Sequence, residues 1–398
     1  MRIPLVAAAI VAASTAALAE PATNPALEAR LNRVIDTALS EKRIVGTVVL
    51  VAKDGKIVYS RAAGYADREA GIQMREDAIF RLASVTKPFV TAAAMRLVEE
   101  GRLDLDAPVT RWLPEFRPAL PDGSVPEITI RQLMTHTSGL GYGFLEPADG
   151  PYHRLNVSDG LDQPGLSLDE NLARLSAAPL HFAPGEGWRY SLGIDVLGGV
   201  LEKIEGRGLA EIVREKVTAP LGIEDTEFTV RDPSRLVQAY ADGEPEPRLM
   251  TDGTAVPMMG LEAIFAPSRI LDLASYPSGG AGMAGTAGDV LRFLEVIRTG
   301  GVPILKPETV ETMAKDQVGP DAKTQGPGWG FGYGWAVLTD PAPTGTPQAA
   351  GTLQWGGAYG HSWFIDRENG LSVVALTNTA FEGMAGAFPT DVRNAVYN

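Results

Sequence analysis

Asp54-Gly55 lies between two β-rich runs, Thr47–Lys53 and Lys56–Arg61, near the start of the chain. Near the other end, Glu368-Asn369-Gly370 lies between His361–Asp366 and Leu371–Asn378. Asp-Gly or Asn-Gly between apolar alternating runs is the strongest short-range hairpin signal, because both residues accept the positive φ of a type I′ turn. Both ends of the chain are therefore expected to form antiparallel hairpins. The stretch between them reads differently. Pro25–Ser40 precedes the first hairpin with apolar residues at helical spacing (Leu27, Leu31, Val34, Ile35, Ala38, Leu39). Further helices are expected over Phe89–Glu100 (closed by Gly101), Leu168–Ala177, Ile194–Glu205, Leu209–Val217 and Ala287–Arg298 (closed by Gly300-Gly301). Gly/Pro-rich stretches over 137–165, 231–260 and 319–347 separate them. The expectation is an α/β plus α architecture: a sheet built from both ends and flanked by helices, with a mainly helical insertion. The lobes are placed at about 20–85 with 280–398, and about 86–279, with a pocket between them.

The 398 residues carry a formal net charge of −14, which argues against nucleic acid or an anionic membrane as partner. There is no cysteine, so disulfides, thiolate metal sites and a cysteine nucleophile are excluded. Met1-Arg2, the apolar run Ile3–Leu18 and Ala17-Leu18-Ala19 read as a secretory signal peptide over 1–19. The mature chain is expected to begin near Glu20 and to be secreted or periplasmic.

The motif search eliminates several chemistries. There is no G-x-S-x-G elbow and no P-loop, and the four histidines (His136, His153, His181, His361) show no metal spacing. No metal, cofactor or membrane insertion is expected. Ser84-Val85-Thr86-Lys87 offers another way to activate a hydroxyl. Residues three apart share a helix face, so the amine can reach the hydroxyl. Pro88 is tolerated only in a first helical turn, which sets the helix start close to Ser84, where the helix dipole favours an alkoxide. A free lysine is neutral in only about 1 molecule in 2,500 at pH 7, so such a pair needs a dry cleft.

Arg81-Leu-Ala-Ser-Val-Thr-Lys-Pro-Phe-Val90, Leu103-Asp-Leu-Asp-Ala-Pro-Val109 and Ile130-Arg-Gln-Leu-Met-Thr-His-Thr-Ser-Gly-Leu140, in that order, resemble the serine β-lactamase and penicillin-binding-protein superfamily. Within it the chain is most similar to the class C-related branch and, above all, to the family VIII carboxylesterases, from about residue 30 to 380. The resemblance implies that Ser84 is the acylated nucleophile and Lys87 its partner. It implies that Tyr190, in Tyr190-Ser191-Leu192, is general base and later acid. The third motif matches Trp355-Gly356-Gly357, with the N–H groups of Ser84 and Ala358 as oxyanion hole; an alternative register uses His361-Ser362-Trp363. Leu192 stands where lactamases have an asparagine, and Trp355 where they have a cation. Both departures remove polar recognition and suit neutral esters. The implied activity is short-chain carboxylester hydrolysis on a small-molecule substrate. A β-lactamase or DD-peptidase is the runner-up, and a non-catalytic penicillin-binding sensor comes third. Trp355, Gly356, Gly357, Leu192 and Tyr142 are expected to bind substrate, with Phe144 and Tyr152 beside Tyr142. His136 and Ser138 read as a loop-ordering turn, and Trp329–Trp335 as a strand packed against the sheet.

Overall fold

The computed structural model describes residues 24–398 apart from 259 and 323. The expected signal peptide and its cleavage site lie outside the described residues. The main sheet has eight strands, here β1 (Gly46–Lys53), β2 (Lys56–Asp67), β3 (Ile72–Gln73), β4 (Trp329–Phe331), β5 (Ala336–Leu338), β6 (Leu353–Gly357), β7 (His361–Asp366) and β8 (Leu371–Thr377). Their spatial order is β4-β5-β6-β7-β8-β1-β2-β3, with every pairing antiparallel. The two ends of the chain meet where β1 pairs β8, Thr47 opposite Thr377 and Lys53 opposite Leu371.

Both faces of this sheet are covered, which is why Gly46–Ala52 is buried throughout rather than alternating. On one face Val49, Val51, Phe364, Val373 and Ala375 pack against α1 (Pro25–Ser40) and the C-terminal helix Ala387–Tyr397. Leu27, Leu31 and Ile35 supply the inward stripe of α1, each burial worth roughly 1.5–3 kcal/mol. On the other face Val48, Leu50, Trp363, Ile365, Val374 and Leu376 join one buried cluster with α2 (Thr86–Glu99), α3 (Ile130–Met134), α4 (Gly193–Glu205) and α5 (Ala287–Arg298). Phe89 of α2 stacks on Phe293 of α5 at 4.1 Å, which ties the buried helix to the helix lying on the sheet.

Asp54 and Gly55 have φ of +50° and +81°, as a type I′ turn demands. The second turn departs from its expected type. Only Gly370 has positive φ, and the connection spans Arg367–Gly370. The reason is Asp366, whose carboxylate accepts from the Asn369 backbone N–H and side-chain amide and so fixes Asn369 outside the left-handed region. The helix expected over Leu209–Val217 is α-helical only to Val213 and widens into a π turn over Arg214–Thr218. Trp329–Trp335 is not one strand. It holds β4 and the turn leading to β5, so its aromatics sit at the sheet's own edge. The Gly/Pro-rich stretch ending near 260 conceals a hairpin, Thr254–Met258 with Leu261–Phe265.

Candidate active site

Ser84 sits on a single 3₁₀ turn, Ala83–Val85, that runs directly into α2. Ala83 before it has φ +45°, a left-handed conformation that costs a non-glycine residue of order 1 kcal/mol. The surrounding backbone holds it there: Leu82 N–H donates to Met283 O at 2.8 Å and Val85 N–H to Leu82 O at 3.1 Å. Gly357 packs so closely that a β-carbon would overlap Leu82 O. This contact sets one of the two candidate third-motif segments against the Ser84 turn. β6, with Trp355-Gly356-Gly357, runs beside the Ser84 turn, whereas His361-Ser362-Trp363 belongs to the next strand, paired to it.

Lys87 is fully buried. Its Nζ donates to Ser84 Oγ at 3.1 Å and to the Gly280 carbonyl at 2.8 Å. Tyr190 Oη donates to Ser84 Oγ at 2.6 Å. Ser84 is thus the atom through which lysine and phenol meet. Lys87 also lies 4.6 Å from the centre of the Tyr190 ring and 5.3 Å from that of Tyr142. Trp355 Nε1 donates to Tyr190 Oη at 3.3 Å, from the strand position where lactamases place a cation. Ala358, one residue beyond β6, lines the cavity that holds Ser84, and its N–H has no acceptor among the described residues.

Tyr190 is held by a zipper between two irregular segments. Arg189 N–H donates to His136 O at 3.0 Å, Leu192 N–H to Gly141 O at 3.1 Å, and His136 Nδ1 meets Ser191 Oγ at 3.0 Å. His136 has φ +58°, in keeping with a turn, and its ring lies 4.8 Å from that of Tyr190. Burial and then the Lys87 charge hold its imidazole well below the ordinary range, so it is neutral. Ser138 is likewise buried, its Oγ accepting from Leu140 N–H.

The cavity over Ser84 has a volume of about 860 Å³. Tyr142, Phe144, Trp188, Tyr190 and Trp355 line it, and Met258 and Ala263 of the Thr254–Phe265 hairpin overhang it. Its lining continues past Gly356 to Arg393. Three expected substrate contacts are corrected here. Leu192 does not line the cavity: as the residue capping α4 it is fully buried in the core. Gly357 lies behind the wall, pressed on Leu82. Tyr152 is buried away from it and accepts from Gly141 N–H at 2.8 Å. Tyr142, Phe144, Trp355 and Gly356 do line it.

Sequence reasoning missed two groups. Asp159 lines the cavity and accepts from the N–H groups of Gly143 (2.7 Å) and Phe144 (2.9 Å), fixing the loop that carries Tyr142. Burial pushes its carboxyl up to about 8, overriding those two donors. Gly280, whose carbonyl receives Lys87, lies 193 residues along the chain in an unmarked Ser-Gly-Gly run. Neither carries a local motif that singles it out.

The fold and this constellation define the serine hydrolases built on the penicillin-recognising scaffold. The family described as Beta-lactamase matches residues 31–396, and the chain belongs to it. Esterase EstB of Burkholderia gladioli is 59% identical over 375 residues, 93% of this chain and 95% of that one. A solved structure described as EstCE1, a hydrolase with promiscuous acyltransferase activity, matches with a TM-score of 0.92 and 51% identity, covering 94% of this chain and 99% of the other. Lovastatin esterase of Penicillium rubens is 28% identical over 373 residues, 86% of this chain and 90% of its own.

Proposed function

We propose that this protein is a serine carboxylesterase acting on neutral, short-chain esters through an acyl-enzyme on Ser84. The observation that carries the reading is Ser84 Oγ lying 2.6 Å from Tyr190 Oη and 3.1 Å from Lys87 Nζ, in a cavity where an indole takes the place of a substrate-binding cation. Tyr190 takes the Ser84 proton as Oγ bonds to the ester carbonyl carbon. The oxyanion receives the N–H groups of Ser84 and Ala358, and the proton passes from Tyr190 to the departing alcohol. Water then repeats the sequence on the acyl-enzyme. A free phenol is ionised in only about one molecule in a thousand at pH 7, so the adjacent ammonium and the Trp355 N–H are what make it a usable base. The similarity to an esterase and to a hydrolase with promiscuous acyltransferase activity supports the same reading. Export through a cleaved 1–19 leader to a secreted or periplasmic location is part of the proposal, and it rests on the sequence pattern alone.

The test is turnover of p-nitrophenyl butyrate beside nitrocefin, with Ser84→Ala as control. The ester should be cleaved, nitrocefin poorly, and Ser84→Ala should lower kcat by on the order of 10³-fold. Dominant nitrocefin turnover would transfer the reading to a β-lactamase, and an active Ser84→Ala would end it.

A further inference from the structure

A charged lysine has three N–H donors, and Lys87 uses two, on Ser84 Oγ and the Gly280 carbonyl. What lies past Gly280 is not solvent but two more buried polar groups. Asp195 is 1% exposed and Tyr142 2%. A methyl group added at Gly280 would stand 2.5 Å from Asp195 Oδ2, 2.9 Å from Tyr142 Oη and 3.4 Å from Lys87 Nζ. Three polar atoms therefore crowd one face of a single α-carbon, at a residue whose lack of a side chain leaves room for them.

Asp195 comes from the first turn of α4, five residues after Tyr190. Its Oδ1 accepts from Ser278 Oγ at 2.6 Å, and its Oδ2 has no hydrogen-bond partner among the described residues. Such an oxygen is costly to bury unless a nearby charge offsets it. Five titratable groups bear on it: Lys87, Arg269, Tyr142, Tyr276 and Asp159. Arg269 is engaged with the carbonyls of Asp162 and Tyr276. Both tyrosines are pushed upward by burial and stay neutral. Asp159, at about 8, is protonated near neutrality. Burial pushes the Asp195 carboxyl itself upward against the Ser278 hydrogen bond, and of the two cations that oppose the shift Lys87 acts more strongly than Arg269.

We propose that Asp195 is the buried counter-ion of the Lys87 ammonium, a positioning residue that keeps the lysine charged while Tyr190 takes and returns the Ser84 proton. The Tyr190 phenolate takes the proton of the breaking Ser84 O–H bond as the Oγ–acyl bond forms; the ester C–O bond then breaks, and the leaving alkoxide takes that proton from Tyr190, which is a phenolate again. Lys87 loses none of its own and stabilises both anions. Asp195 touches no reacting atom and acts through Lys87, on the other side from the substrate. The proposal rests on the Ser84 and Tyr190 roles given above.

The experiment follows the pH dependence of two rates in wild type, Asp195→Asn and Ser278→Ala: kcat/KM for p-nitrophenyl butyrate, and covalent labelling of Ser84 by a fluorophosphonate. Removing a negative charge makes it easier for neighbouring groups to give up protons. The acid limb in Asp195→Asn should therefore move to lower pH by about one unit. Ser278→Ala leaves the carboxylate less supported and should move it the same way by less, so a variant that fails to fold does not end the test. Lower rates with an unmoved limb in both measurements would overturn the proposal, since a packing role predicts that. Wild type that labels but does not cleave the ester would instead sink the carboxylesterase reading and leave the labelling test intact.

Discussion

Trp355 Nε1 donates to Tyr190 Oη, 165 residues away in the chain, across the mouth of the site. The phenol thereby has an N–H donor on one side and the Ser84 hydroxyl on the other. An N–H pointing at a phenol oxygen favours its charged form, so the indole performs part of the work of the cation it replaces. Trp355→Phe keeps an aromatic wall and removes the donor. A neutral hydrogen bond of this length is worth about 0.5–1.5 kcal/mol, so kcat/KM toward p-nitrophenyl butyrate should fall about 2- to 10-fold. KM should change little, since Trp355 packs 5.2 Å from the Tyr190 ring and that wall survives. A variant with unchanged kcat would show that the N–H does nothing for the base.

Gly357 is held by space rather than by backbone freedom. Its φ is not in the left-handed region, and what forbids a side chain is Leu82 O on the turn that carries Ser84. Gly357→Ala must push β6 and that turn apart, moving the Ala358 N–H away from the Ser84 N–H with which it would share the oxyanion. The loss in kcat should be at least 10²-fold, comparable to deleting one oxyanion donor. A thermal melt should show only a modest fall, because the sheet can yield locally. Wild-type kcat in this variant would remove Ala358 from the oxyanion hole.

His361 gives the protein a defined acid sensitivity. Its Nε2 donates to Arg81 O at 2.7 Å, and burial pulls the imidazole down to about 4. The unfolded chain takes up that proton near pH 6.5, the folded chain only near 4. Stability from this residue is therefore complete above about pH 6.5 and is lost as pH falls through about 4, amounting to about 3 kcal/mol. His361→Gln keeps a donor for Arg81 O and cannot titrate. Denaturant melts of the two proteins from pH 7 to 4 should give a difference that moves in the variant's favour as pH drops. A difference constant with pH would place the titration elsewhere.

The hairpins, α1 and the helix starting at Ser84 were legible because each rests on local chemistry: a turn pair, an apolar period, a proline in a first turn. The same holds for Ser84, Lys87 and Tyr190, whose neighbours in the chain form recognisable motifs. What stayed hidden depends on contacts between distant segments. Asp366 reshapes the Glu368–Gly370 turn from a position a turn rule does not weigh. Gly280 and Asp195 acquire meaning only when α4 and the Ser278–Gly282 run close on Lys87. Leu192 was placed at the substrate by alignment of a motif, yet motif position does not say which way a side chain turns.

Leu192 supplies the sharpest test of that last point. In lactamases the matching residue is an asparagine that meets substrate, so Leu192→Asn would restore β-lactam recognition if the side chain faced the cavity. Here it is fully buried, and its backbone (φ −67°, ψ 12°) lacks the extended conformation in which an asparagine folds back to cap its own helix. The substitution removes a buried leucine and leaves an amide without partners, at a cost of about 2–4 kcal/mol. A melt should therefore show strong destabilisation, and nitrocefin turnover should not rise. A stable variant with increased nitrocefin turnover would mean that residue 192 reaches the substrate after all, and that the ester preference is set by this position as well as by Trp355.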